Sequence, residues 1–388
     1  MAGLYLHVPF CKQACHYCDF HFSTSPDHHL ELIRAMSAEL KLQKGYLRDS
    51  VLSTIYFGGG TPSLLHQSEL EIIFEGIRSI YSIADNAEIS LEANPDDLSK
   101  EKLAELRQRG INRLSIGVQS FDDSILKFLN RVHDSDEATR CIAAARSEGF
   151  NNISVDLIYA IPGQPQERWK KNIESVLRLS PEHISAYALT IEERTAFGQR
   201  LKKGQLHPVT EENAAGEFEL LMDMMQAAGY EQYEISNFCR PGFHSRHNTS
   251  YWQQVPYLGI GPSAHSYDGE SRQFNISNNS LYRKAIESNT VPFEREVLTR
   301  ENRINEYLFT TLRTVWGCDL EKIKVNFEFD VFQENKTYLT TLQEKSLISL
   351  ENNRLILTRS GKLLADQIAA DLFVDGKNDS QKLSILNS

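Results

Sequence analysis

Two hydrophobic rhythms alternate from Leu4 to about Leu189. Short apolar runs end in polar or Gly-rich loops, and each is followed by a stretch with apolar residues at helical spacing. The pattern predicts strands at Leu4–Val8, Thr54–Phe57, Glu88–Ala93, Arg113–Val118, Ile153–Ile158 and His183–Leu189. It predicts helices at Leu30–Leu42, Ser68–Ser79, Ser99–Arg109, Glu137–Ser147 and Gln166–Leu179. Gly110 and Gly149 stand where helix ends want a left-handed residue, and Ser99 stands at an N-cap. Strands alternating with helices imply parallel βαβ units and an α/β fold. An open doubly wound sheet shares that pattern. The reactive side chains favour a barrel, because they recur just after successive strands: a Cys-rich loop, Gly58-Gly59-Gly60-Thr61, Glu92, Gln119 and Asp156. A barrel gathers the C-terminal ends of its strands around one mouth, whereas an open sheet spreads them along a line.

The alternation fails after about Glu193. A helix is expected over Thr210–Gly229, with Phe218, Leu221, Met222 and Met225 on one face, followed by a Gly-, Asn-, Tyr- and His-rich stretch to about Asn279. From Leu298 the order becomes helix to Val315, helix near Val331–Lys345, a hairpin (Leu347–Leu350 and Arg354–Leu357, turning at Asn352-Asn353), then helix Gly361–Ala370. That order suits a small winged-helix-like domain. The expected organisation is a barrel over 1–200, an extension over 201–297, the small domain over 298–375 and a polar tail over 376–388.

A chain of 388 residues with 41% hydrophobic content can bury a sizeable core. No run of eighteen apolar residues offers a membrane span, and the N-terminus lacks a signal-peptide pattern, so a cytoplasmic location is expected. The net charge of −11 argues against nucleic acid as a partner. The C-terminal segment Leu298–Asp375 has twelve acidic and ten basic residues and argues the same way. Three of the six cysteines fall between positions 11 and 18, and such clustering in a reducing compartment favours metal over disulfides.

Those three form Cys11-Lys12-Gln13-Ala14-Cys15-His16-Tyr17-Cys18. Three thiolates on one loop can ligate three irons of a 4Fe–4S cube and leave the fourth iron open. The alternatives are zinc, with His7, His16 or His21 as fourth ligand, and a disulfide that leaves one cysteine over. Neither explains why the triplet directly follows the first strand of a βα series.

The triplet, with an aromatic before its last Cys, resembles the signature of radical S-adenosylmethionine (SAM) proteins, whose fold is a partial (βα)6 TIM-like barrel. Within them, Tyr5-Leu6-His7-Val8-Pro9-Phe10-Cys11, Phe57-Gly58-Gly59-Gly60-Thr61-Pro62-Ser63 and Gly117-Val118-Gln119-Ser120-Phe121-Asp122, followed by Leu129-Asn130-Arg131-Val132-His133, resemble the oxygen-independent coproporphyrinogen III oxidase group. The likeness spans about residues 3–375. It implies that Cys11, Cys15 and Cys18 hold the cluster and that its open iron chelates SAM, which an electron from the cluster then cleaves. It further implies SAM contacts at Tyr5, Gly59, Gly60, Thr61, Glu92, Gln119, Arg131 and Asp156. Glycines admit close backbone approach, the carboxylates accept from ribose or ammonium, and Arg131 neutralises a carboxylate. On other readings Glu92 and Asp156 form rim salt bridges, and Arg131 ends a solvated helix. Tyr17 shelters the cluster, stacks on adenine or simply packs; His133 is taken as structural.

The likeness to the oxidases themselves is incomplete. They carry a further Cys two residues after the triplet, where this chain has Cys18-Asp19-Phe20, and an N-terminal extension, whereas ten residues precede Cys11 here. Both features resemble the HemW-type haem chaperones instead. So does His247-Asn248-Thr249-Ser250-Tyr251-Trp252, which is similar to that group's haem-binding HNxxYW motif. An imidazole suits haem iron and flat aromatics suit a porphyrin, although such residues in a loop also serve ordinary packing. His244 is a rival ligand to His247, with Cys239 and His265 weaker ones; Arg246 can pair with a propionate. Gly259-Ile260-Gly261 is expected to approach the cofactor or porphyrin from the far side of the mouth. The resemblance implies haem, apo-haemoproteins of the respiratory chain, peripheral membrane contact and a homodimer as partners. The competing reading is a decarboxylating coproporphyrinogen dehydrogenase that makes protoporphyrinogen IX.

Overall fold

The computed structural model describes residues 2–25 and 27–374, so the tail expected at 376–388 lies outside it. The chain forms two compact units, the larger comprising Met1–Glu231, Ser236–His247 and Val255–Arg295, the smaller comprising Gln232–Ile235, Asn248–Gln254 and the chain from Glu296.

In the larger unit, β1 (Ala2–Val8), β2 (Val51–Gly59), β3 (Ser82–Ala93), β4 (Arg113–Gln119), β5 (Ile153–Tyr159) and β6 (His183–Ala188) pair in parallel in that order. Helices His29–Leu42, Gln67–Arg78, Lys100–Gln108, Ser135–Ser147 and Gln166–Leu179 cross between them, so the expected βα series is present. Ser99 accepts from the Lys102 amide as an N-cap, and Gly110 and Gly149 take φ of +93° and +85°.

Register sorts the side chains into two faces. Leu4, Ile55, Ile89, Leu91, Leu114 and Val155 share one and are buried, as expected for strands covered by crossover helices. The other face is polar and aromatic: Tyr5 is level with Tyr56, Glu92 with Ser115, and Asp156 with Ser185. A packed barrel core would place Val, Ile and Leu there.

Six further strands were not expected: β7 (Glu231–Gln232), β8 (Asn237–Cys239), β9 (Tyr257–Ile260), β10 (His265–Tyr267), β11 (Ser271–Asn275) and β12 (Phe293–Val297). The sheet order is β12-β11-β10-β9-β1-β2-β3-β4-β5-β6-β8-β7. Both ends of the six-strand series are thus extended rather than joined, β1 by parallel β9 and β6 by antiparallel β8, and the barrel is partial. Runs of two to five residues are too short for alternation to register.

A helix at Asp123–Leu129 was also missed. Asp122 caps it by accepting from the Ser124 and Ile125 amides, and Asn130 ends it at φ +62°. Seven residues give two turns, too few for a period to declare itself.

The smaller unit contains helix Arg300–Leu312, β13 (Cys318–Asp319), helices Leu320–Phe327, Val331–Glu334 and Lys336–Glu344, β14 (Ile348–Glu351), β15 (Arg354–Leu357), and helices Arg359–Lys362 and Ala365–Asp371. Leu308, Ile323, Leu339, Leu355 and Ile368 form its core. The hairpin turns at Asn352 and Asn353, both left-handed, as a type I′ turn requires. Two expectations need correction. The helix read over Val331–Lys345 breaks at Asn335, whose side-chain amide donates 3.0 Å to the Val331 carbonyl. Leu320–Phe327 is an additional helix, capped by Asp319. No helix among the described residues is long and apolar enough to cross a membrane.

Candidate cofactor site

The cysteine loop leaves the end of β1 and is pinned on two sides. The Cys11 amide donates 3.0 Å to the Ser23 carbonyl. Opposite, Gln13 donates to the Asn130 carbonyl (2.9 Å), Asn130 returns a bond to the Ala14 carbonyl (2.7 Å), and the His16 amide donates to Leu129 (3.1 Å). The unanticipated helix thus exists to seat this loop. His16 also turns Nδ1 toward the Phe128 carbonyl at 2.9 Å, and His7 turns Nε2 toward the His21 carbonyl at 2.8 Å. All three thiols are free, so the disulfide alternative is not realised.

Two side chains, one just past β2 and one just past the helix Asp123–Leu129, reach the sulfurs. Thr61 Oγ1 lies 3.4 Å from Cys11 Sγ, and Arg131 Nη1 lies 3.3 Å from Cys15 Sγ. Asn94, just past β3, couples them: its amide donates to Thr61 Oγ1 at 3.2 Å, and its carbonyl oxygen accepts from Arg131. Arg131 also donates to the Gly117 carbonyl (2.7 Å) and the Tyr17 hydroxyl (3.4 Å). It is no solvated helix end. Lys12 pairs with Asp96 at 2.8 Å and with Asp97, which also accepts from Ser63 at 2.8 Å. Asn94, Lys12 and this aspartate pair escaped the sequence reading. Asn94 stands directly after a strand like the residues that were noticed, and that position was the available signal.

The glycine loop lies against the cysteine loop through main chain, with Gly60 N donating to Val8 O (2.8 Å) and Thr61 N to Phe10 O (2.6 Å). A Cβ on Gly60 would stand 2.7 Å from Phe10 O, and Gly59 takes φ +105° with the His7 ring 2.7 Å from any Cβ. Glycine is therefore required at both.

Among the described residues Glu92 forms no ion pair. It accepts from the Tyr56 hydroxyl (2.8 Å) and the Gly59 amide (3.1 Å). Burial pushes its carboxyl up to about 7, and Asp156 adds to the rise. Asp156 accepts from Ser115 (3.2 Å) and is also raised by burial. Two carboxylates on one dehydrated face invite a cationic or hydroxyl-rich ligand. Gln119, at φ +66°, ends β4 in a strained left-handed turn. Tyr5 faces His7, with its hydroxyl 3.2 Å from Nδ1. Tyr17 packs against Ile125, Leu129, Ile158 and Phe197. His133 is buried with Nε2 3.1 Å from the Val118 carbonyl.

Glu92 yields a pH test. An unfolded glutamate titrates near 4.5, the folded one near 7. Between those values the unfolded chain has released a proton that the folded chain keeps. Stability of the ligand-free protein should therefore fall as pH rises through this window. Glu92→Gln should flatten that fall and stabilise the protein at pH 8 by on the order of 1–3 kcal/mol. Thermal melts at pH 5 and pH 8 check this, and an unaltered pH dependence in the variant would refute it.

The cluster's fit is tested by the thiols themselves. Burial raises Cys11, and burial with the neighbouring cysteine sulfurs raises Cys18 to about 11. Cys11 and Cys18 thus rest as protonated thiols, and a metal would displace the protons and hold the sulfurs as thiolates, with the Arg131 guanidinium beside Cys15 to offset the charge. Cys11, Cys15 and Cys18 would hold the cluster, while Thr61, Arg131, Glu92 and Asp156 would orient SAM beside it. The bound pair supplies one-electron cleavage of a sulfonium carbon–sulfur bond.

The HNxxYW residues divide between the units. His247, in the larger, is fully buried against β2 and β3: Nδ1 is 2.8 Å from Thr54 Oγ1, and the ring stacks on Tyr56 at 5.0 Å. The amides of Arg246 and His247 donate to Glu88 at 3.1 and 3.0 Å. Burial pushes the imidazole down to about 3, so it is neutral. Thr54 and Glu88 precede Gly58 and Glu92 by four positions on β2 and β3, and Tyr56, on which the His247 ring stacks, donates to Glu92, so His247 adjoins the polar face through that ring. Tyr251 and Trp252 belong to the smaller unit, where the Arg313 guanidinium lies 6.0 Å from the Trp252 ring. His265 is exposed and stacks on Phe274 (5.7 Å). Gly261, at φ +105°, leaves 2.6 Å between a Cβ and the His7 carbonyl, and its amide donates to buried Glu39 at 2.8 Å. Its glycine requirement comes from packing on β1.

A three-thiol loop at the mouth of a partial βα barrel with a polar inner face defines a radical SAM protein. The comparisons agree. The radical SAM superfamily model matches residues 5–176 and the HemN C-terminal domain model residues 298–364. The chain is 36% identical over 373 residues to heme chaperone HemW of Bacillus subtilis, covering 95% of this chain and 98% of that one. It is 31% identical over 388 residues to a bovine mitochondrial radical S-adenosyl methionine domain-containing protein 1, covering 96% and 87%. Coproporphyrinogen III oxidase (HemN) of Escherichia coli superposes with a TM-score of 0.83 at 23% identity, over 96% and 90% of the two chains, which shows a common fold. The chain belongs to the HemW family of the radical SAM superfamily.

Proposed function

We propose that this chain is a haem chaperone that binds haem and delivers it to apo-haemoproteins of the respiratory chain at the membrane surface, acting as a homodimer. The cluster with SAM gates that transfer. The observation that carries the reading is the likeness, over 98% of its length, to a protein named as a heme chaperone. Asp19-Phe20, where the oxidases place a further Cys, weighs against the oxidase reading.

His247 ligates the haem iron in this proposal. Its neutral imidazole has the right charge for the task. Reaching a porphyrin requires the ring to leave Thr54 and the seven-residue helix Arg246–Trp252 to release Glu88, and so short a helix has little stability of its own. His247→Ala should weaken haem binding at least about tenfold, roughly 1.4 kcal/mol, and shift the Soret band in anaerobic titrations. Unchanged affinity and spectrum would remove His247 from the site, and a loss of affinity with a shifted Soret band in His244→Ala instead would name its rival. Anaerobic incubation with coproporphyrinogen III should yield no protoporphyrinogen IX. Stoichiometric product would replace the chaperone reading with the enzyme.

A further inference from the structure

At the end of β8, Glu231, Cys239 and His244 bring a carboxylate oxygen, a thiol sulfur and an imidazole nitrogen within 4.8 Å of one another. The local sequence explains the convergence. Cys239 ends β8, and Arg240-Pro241-Gly242-Phe243 then reverses the chain. The Phe243 amide donates 3.0 Å to the Arg240 carbonyl, Pro241 fills the second turn position, and Gly242 at φ +86° fills the third, the signature of a type II turn. The Arg240 amide, donating 2.8 Å to the Glu182 carbonyl, ties that turn to the approach to β6. His244 is thereby folded back beside Cys239. Glu231 arrives from β7, the neighbour of β8 in the sheet.

The donors grade from a buried sulfur through a partly exposed imidazole to an exposed carboxylate. His244 Nε2 and Glu231 Oε2 lie 3.8 Å apart, too far for a hydrogen bond. Two ligands of one tetrahedral zinc lie roughly 3.4 Å apart, so a contraction of at most about 1.4 Å closes the set. We propose that Cys239, His244 and Glu231 bind one zinc-class divalent cation, with water or an exogenous ligand in the fourth position. Binding exchanges the sulfur's proton for the metal: Cys239–SH and Zn²⁺ give Cys239–S–Zn⁺ and H⁺, with no change of oxidation state. Buried and metal-free, the Cys239 thiol is raised to about 12, with Glu231 adding to the rise, so affinity should increase with pH. The ion would clip β7 to the turn after β8.

The test is zinc K-edge X-ray absorption on the cluster-loaded protein with one equivalent of Zn²⁺, an edge that iron does not obscure. The expected shell is one sulfur near 2.3 Å with nitrogen and oxygen near 2.0 Å. Cys239→Ser should remove the sulfur, and His244→Ala, at a partly exposed position that the fold tolerates, should weaken binding at least tenfold against a competing chelator. A sulfur-free shell, a shell of several sulfurs from the cysteine loop, or affinity unchanged in His244→Ala would overturn the proposal.

Discussion

Cys15→Ala should leave a folded protein that holds no stable 4Fe–4S cluster. Anaerobic reconstitution should give about four irons per wild-type chain and a broad absorption in the visible, and in the variant nearly none of either after desalting. The three cysteines lie on a loop at intermediate burial, so truncating one should change the stability of the cluster-free protein by less than about 1 kcal/mol. The loop keeps its shape through main-chain and amide bonds at Cys11, Ala14, His16 and Asn130, none of which uses a sulfur. A large loss of iron beside a small loss of stability separates a ligand from a packing residue. Full iron retention in the variant would contradict the assignment.

Arg131→Ala should damage both the fold and the site. The guanidinium serves Asn94, the Gly117 carbonyl, Cys15 and Tyr17 at once, and its removal leaves buried acceptors without donors. At about 1–3 kcal/mol for each unsatisfied acceptor, an expected cost of about 2–4 kcal/mol follows. It also deprives Cys15 of its neighbouring positive charge, so cluster retention and SAM affinity should fall. Arg131→Lys should recover only part of this, because one ammonium cannot spread over acceptors placed for a planar fork. Denaturant unfolding of the cluster-free protein and SAM equilibrium dialysis of the loaded protein read the two effects. A variant as stable as wild type, binding SAM equally well, would remove Arg131 from its place at the centre of the network.

What could be read beforehand follows a physical division. The βα series was legible because parallel strands under crossover helices impose long, regular periods. The cysteine loop, Gly59, Gly60, Thr61, Glu92 and Gln119 were singled out because each stands at or beside a strand end, where a barrel gathers its chemistry; Asp156, singled out with them, lies at the middle of β5. Asn94 and the two-turn helix Asp123–Leu129 were missed because one polar residue beside a proline, or seven residues of helix, carries no period. The burial of His247 lay beyond reach altogether. It depends on Thr54 and Glu88, which approach from strands almost two hundred and about a hundred and sixty positions away in the chain. A histidine among Asn, Tyr and Trp reads locally as a surface loop. Asn335 breaks a helix through a bond from its own side chain, a choice that composition alone does not announce.

The central claim is that three thiolates leave one iron of the cluster open to SAM beside the polar inner face of the barrel. Electron paramagnetic resonance of the dithionite-reduced cluster, with and without SAM, tests it most directly. A shifted set of g values on adding SAM, abolished in Cys15→Ala and weakened in Arg131→Ala, is the predicted result. A spectrum indifferent to SAM in fully reconstituted wild-type protein would contradict the account.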